Sequence, residues 1–173
     1  QHYREAQQRL NEMESLYTIG QQLTSILDLQ QLGRELTRQM AHALNSTYCS
    51  LMLLRPASGE LEVIGRHIDP QFEPPATTVL PGAHQLADLP ATQAMLQRRE
   101  PLIIYRGDPR ADPAEVALLN QANLSALLNV PLVAINEAFG AVAWADSRPD
   151  RIFSPDELRL AQTLANQAAK VTL

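Results

Sequence analysis

Few side chains in this 173-residue chain could do chemistry, and their spacing decides which chemistry is open. The single cysteine, Cys49, lies in an apolar run and is followed by Ser50, so it reads as a small packed hydrophobe. One cysteine rules out an internal disulfide and suits a reducing compartment. His2, His42, His67 and His84 have no spacing that would gather a metal ion. No serine sits in a nucleophile-elbow pattern, and no carboxylate pair is set apart for acid–base work. The thirteen arginines are joined by one lysine, Lys170, and no two of the seven glycines are closer than six residues. A phosphate-cradling loop, which needs clustered glycines and a lysine, is therefore missing. The expectation is a chain that is not an enzyme. Asn129 is the one amide inside an otherwise apolar strand, and a buried amide must find partners. Those partners are either a ligand or backbone groups at a bulge that Pro131 would create. Arg98 and Arg99 could meet an anionic ligand or simply end an exposed helix.

The elements that position these groups are bounded by composition. A content of 45% hydrophobic and 19% charged residues is that of an ordinary globular chain of about one domain. A net charge of −5 argues against a surface that neutralises nucleic-acid phosphates. No apolar run reaches membrane-spanning length and no export signal precedes the first polar segment, which points to a cytoplasmic chain without a membrane partner. A first residue of Gln rather than Met reads as the start of a piece excised from something longer.

Along the chain, Tyr3 to Leu27 has no proline, and Ala6, Leu10, Met13, Tyr17 and Gly20 recur at spacings of four and three. This is the seam of a dimerising coiled coil, and residues 1–27 form a long N-terminal signalling helix. A second line, Leu16, Ile19, Leu23 and Ile26, suggests that the later turns also pack on the globular body. Asp28 is a plausible cap for a second helix with Leu29, Leu32, Leu36 and Met40 on its stripe. Thr47–Arg55 and Glu60–Ile68 read as strands joined by a Pro-Ala-Ser-Gly turn. Eight of the twelve prolines fall between Pro70 and Pro113. That stretch still offers a minor strand at Thr77–Leu80, a helix at Leu89–Arg99, a strand at Pro101–Tyr105 and a helix from Pro113 capped by Asp112. Segments so interrupted lie over a core rather than form it, and such a cover is a good place for a small-molecule pocket. Two apolar strands from Leu124 to Asp146 then flank a hairpin turn at Asn136-Glu137. On the second strand Phe139, Ala141, Ala143 and Ala145 should share one face, Val142 and Trp144 the other. Ser154, Pro155 and Glu157 form a capping box that opens a helix at 154–172.

The order of these elements resembles a GAF domain. Ser125-Ala-Leu-Leu-Asn-Val-Pro-Leu132 is similar to the family's serine followed by a strand ending in Val-Pro-Leu. Phe139-Gly-Ala-Val resembles its hydrophobic-Gly-hydrophobic strand start, and Phe153-Ser-Pro-Asp-Glu-Leu158 with Leu164-Ala-Asn-Gln-Ala168 its closing helix. The resemblance covers about residues 15 to 173 as topology and the last fifty as motif, and residues 28–173 are assigned to the domain. It implies an α+β, PAS-related fold. A six-stranded antiparallel sheet would carry the terminal helices on one face, and a ligand chamber under short helices and loops on the other. It also implies a sensory or regulatory module of a larger protein such as a histidine kinase or transcriptional regulator, forming a homodimer through its N- and C-terminal helices. A covalently linked output module would receive the signal.

The chemistries known in that family fit these residues poorly. Bilin-bearing members attach pigment to a cysteine, often followed by histidine, on the capping helix, whereas Cys49 lies in a strand. Haem would need His67 or His84 as an axial ligand. Cyclic-nucleotide-binding members carry a spaced Asn, Lys, Phe, Asp, Glu signature. Asn136, Phe153, Asp156 and Glu157 resemble fragments of it, but no lysine lies between Asn136 and Phe153. Methionine sulfoxide reductases of this fold need several cysteines. No cofactor is expected. A small-ligand pocket would draw Asp88, Thr92, Met95, Tyr105 and Leu119 from the cover, and Leu53, Asn129 and Trp144 from the sheet.

Overall fold

A computed structural model of the chain describes residues 2–72 and 81–173. The strand expected at Thr77–Leu80 lies outside them. Six antiparallel strands form one sheet: β1 (Tyr48–Arg55), β2 (Glu60–Ile68), β3 (Ala83–Gln85), β4 (Leu102–Tyr105), β5 (Ala126–Ala134) and β6 (Glu137–Asp146), in the order β3-β2-β1-β6-β5-β4. Helices α1 (His2–Ala43) and α4 (Pro155–Thr172) bear on one face, while α2 (Pro90–Arg98) and α3 (Pro113–Gln121) cover the other. The fold is α+β, with a two-sided sheet as the near-continuous apolar runs of β1, β5 and β6 require. Among the described residues no helix is long and apolar enough to cross a membrane.

The first helix differs from its expected form. It runs unbroken for 42 residues, so Asp28 caps nothing. No proline interrupts it, and an aspartate inside a helix costs only a fraction of a kcal/mol, about 0.5, against two flanking apolar stripes. A helix of this length spans about 63 Å, far more than the sheet it crosses. Only its last turns are buried, at Gly33, Thr37, Met40 and Ala41. Leu16, Ile19, Leu23 and Ile26 do not pack on the body as expected: they are 70%, 52%, 56% and 53% exposed. Ala6, Leu10, Met13 and Tyr17 are exposed as well.

Caps follow their residues closely. Ser154 Oγ accepts from the Glu157 amide at 3.1 Å while Glu157 Oε1 accepts from the Ser154 amide at 3.0 Å, closing a capping box at the start of α4. Asp112 Oδ1 accepts from the Ala114 amide at 2.8 Å and opens α3. The β5–β6 turn falls one residue earlier than expected. Ile135 and Asn136 are its centre, with φ of 51° and 61°, and Glu137 already belongs to β6. Both positive φ values match the twist of a two-residue hairpin, although only Asn136 is a residue that favours them.

Two bulges adjust the faces. The β5–β6 register skips Phe139 and the β1–β2 register skips Ile64. Each skipped residue is thereby turned into the helix-side core with Leu51, Leu128, Val142 and Trp144. Phe139 therefore does not share the face of Ala141 and Ala143, which lie on the other side with Met52, Leu61, Met95 and Leu96.

Candidate functional site

The sheet face under α2 and α3 is built for a cavity by its residue sizes. On β6 the positions facing that side are Ala141, Ala143 and Ala145, whose small side chains leave room above the strand. The strand register sets a row across the sheet: Leu102, Asn129, Ala143, Ser50 and Arg66 lie directly opposite one another on β4, β5, β6, β1 and β2. A polar floor of amide, hydroxyl and guanidinium thus crosses an otherwise apolar sheet. Leucines from the cover, Leu89, Leu118, Leu119 and Leu124, close over it and leave a cavity of about 120 Å³.

The polar groups around this cavity differ in how well they are satisfied. Thr92, on α2, donates through its amide (3.2 Å) and its hydroxyl to Glu115 Oε1 on α3, so a buried carboxyl ties the two covering helices together. Burial pushes the Glu115 carboxyl above the usual range, and the Asp112 charge adds to this, while the Thr92 hydrogen bonds oppose it. Arg66 Nε donates to the Tyr48 hydroxyl at 3.0 Å and Nη2 to the Pro81 carbonyl at 2.5 Å, and its guanidinium lies 5.9 Å from the Tyr48 ring centroid. His84 lines the same end, and burial, then the nearby Arg66 charge, lower its pKa. Asn129 is only 3% exposed, and its Oδ1 has no hydrogen-bond partner among the described residues.

Pro131 does not supply that partner. It pairs in register with Ala141, and the bulge lies beyond it at Phe139. The β4–β5 ladder runs only to Asn129, so Pro131 faces an open edge where its missing N–H costs nothing.

Thr92, Leu119 and Asn129 are brought together around the cavity. Met95 lies beside it in the core under α2. Asp88 is exposed at the end of a short 3-10 turn and does not line it. Leu53, Tyr105 and Trp144 are on the opposite face of the sheet. There Trp144 Nε1 donates to the Met40 carbonyl of α1 at 2.9 Å, and the Tyr105 hydroxyl accepts from the Phe153 amide at 3.0 Å. Cys49 is also on that face, fully buried, and burial pushes its thiol well up. His67 lies near His42, their rings 5.9 Å apart, away from the cavity. Arg66, Ser50, Tyr48 and Glu115 line the cavity without having been singled out in the sequence. The polar Ser50 between apolar neighbours on β1 was the one local signal for them.

Behind the sheet a second polar cluster joins the ends of three elements. Asp146, fully buried at the end of β6, accepts from Arg148 at 2.9 and 2.7 Å. Arg151 reaches the Leu44 carbonyl just past α1 (2.6 Å) and Glu157 in the first turn of α4 (2.5 Å).

A family profile described as GAF domain matches residues 28–171. No curated protein matches the chain. Among solved structures, the chain is similar to the GAF domain/HD domain protein from Geobacter sulfurreducens at 20% identity and a TM-score of 0.64, covering 87% of this chain and 95% of that one. The phycocyanobilin-bound GAF domain from a cyanobacterial phytochrome matches at 19% identity and a TM-score of 0.69, over 90% of both chains. The blue-light absorbing form of the Thermosynechococcus elongatus PixJ GAF domain matches at 16% identity and 0.68, over 87% and 88%.

Proposed function

This chain belongs to the GAF domain family, and we propose that it is the sensory module of a larger cytoplasmic signalling protein, such as a histidine kinase or transcriptional regulator. It binds a small molecule in the cavity under α2 and α3, dimerises through its terminal helices, and passes a signal along them without catalysing a reaction. The observation that carries this reading is on β6. Ala143 forms the cavity floor, and the next residue, Trp144, donates to the Met40 carbonyl of α1 on the opposite face. A ligand pressing on that floor acts on a strand whose other side is tied to the projecting helix, biasing a two-state dimer by its different fit to each state.

Dimerisation is supported by the part of α1 that overhangs the sheet. Tyr3, Leu10, Met13, Leu16, Tyr17 and Leu23 are all about half to four-fifths exposed, an apolar stripe that a second copy of the same helix would cover. A covalently bound bilin has no place in this reading. The only cysteine faces the helix side, and a tetrapyrrole of either kind, bilin or haem, is far larger than a cavity of about 120 Å³.

Light scattering of the purified chain at high micromolar concentration is expected to give the mass of a dimer, and the double substitution Leu16→Asp/Leu23→Asp that of a folded monomer. A wild-type monomer would remove the dimer from the mechanism. A visible absorption band in the purified protein would restore a pigment-bearing reading.

A further inference from the structure

The cavity carries more information than its existence. Among the described residues lining it, Arg66 brings the one guanidinium, His84 an imidazole and Glu115 the one carboxyl. Arg66 and Glu115 do not meet: Glu115 is held by Thr92, and Arg66 contacts a hydroxyl and a carbonyl with no carboxylate in ion-pair range among the described residues. At one end of the cavity, then, the Arg66 guanidinium has only neutral acceptors among the described residues. At the other end, Asn129 Oδ1 is buried, lines the cavity and accepts from none of the described residues. An orphaned buried acceptor of this kind is unfavourable unless something donates to it. Arg66 and Asn129 lie in one cross-strand row, three ladder spacings apart, or about 14 Å between backbones. Ala143 and Ser50 floor the interval, and leucines of the cover lie over it.

Resting on the sensory reading above, we infer that the cavity takes a small monocarboxylate with an apolar middle and a hydrogen-bond donor at its far end. The carboxylate meets Arg66 and the donor meets Asn129 Oδ1. A cavity of about 150 Å³ holds one benzene, so one of about 120 Å³ suits a body of roughly four or five carbons. The leucine walls disfavour a bare inorganic anion, which has no apolar surface to bury.

Isothermal titration of the full chain with pentanoate, 5-hydroxypentanoate and pentanamide tests this. Both acids are expected to bind about tenfold or more tighter than the amide, the worth of one charge-assisted hydrogen bond. The hydroxy acid should exceed pentanoate by a few-fold, and Asn129→Leu should erase that advantage while leaving pentanoate itself bound. Arg66→Gln should bring the acids down to the amide, and Arg66→Lys should recover part of the difference, with unliganded melting temperatures reporting that each variant is folded. Equal binding of amide and acid, indifference to Arg66→Gln, or no binding of either acid at millimolar concentration would overturn the inference. A neutral or cationic molecule retained in the purified protein would overturn it while leaving the sensory reading intact. A chain that retains and binds nothing would remove both.

Discussion

Glu115 is where burial and charge compete most openly. A carboxyl whose folded pKa is raised favours folding most when protonated, so its contribution is full at low pH and is lost as pH rises through the folded value. Urea midpoints measured across the pH range above the ordinary carboxylate value, about 4.3, should therefore fall with rising pH in the wild type relative to Glu115→Gln. Parallel curves for the two proteins would show that Glu115 stays ionised in its helix-bridging contact. The same residue shows what sequence could and could not reveal at this scale. Asn129 was conspicuous because an amide in an apolar strand demands a partner. Glu115 was not, since an acidic residue in the first turn of a helix is adequately explained by the dipole. Arg66 on β2 looked like any solvated strand residue, and only its register opposite Ser50 brings it to the cavity. Leu53 and Trp144 were placed on the wrong side for a related reason. Apolar residues fill both faces of β1 and β6, so alternation tells which residues share a face without telling which face carries the cavity.

The contact between α1 and the sheet depends on an element crossing too close for side chains. A Cβ on Gly65 of β2 would lie 2.3 Å from the Gly33 carbonyl carbon of α1, backbone against backbone. Gly65→Ala must push the helix off the sheet and is expected to cost about 2 kcal/mol or more in chemical denaturation. Gly20, in the overhanging part of the same helix, meets nothing within 4 Å. Gly20→Ala should instead gain about 0.5–1 kcal/mol of helix stability, read as increased helicity on melting. Equal effects at the two positions would contradict the crossing. Element types were legible because caps and periodicity are local: Ser154 with Glu157, and Asp112 before Pro113, mark helix starts in sequence and in structure. Asp28 misled because a capping residue is only a cap where the preceding turn ends, and nothing ends it there. The bulges at Ile64 and Phe139 were invisible for the opposite reason. They arise from pairing between strands, and each is an apolar residue that fits either face.

At the scale of the whole molecule, the sheet is a partition with the cavity on one side and α1 and α4 on the other. Strand β6 crosses between them at Ala143 and Trp144, and the Asp146–Arg148–Arg151 cluster binds its end to the last turns of α1 and the first turn of α4. The overhang of α1 leaves an apolar stripe exposed in the single chain. Native mass spectrometry of the freshly purified chain addresses both halves of the proposed function together. The expected spectrum is a dimer of the 19.2 kDa chain carrying one small molecule per protomer, released on mild activation. A bare monomer at the polypeptide mass, under conditions where the fold is intact, would contradict it.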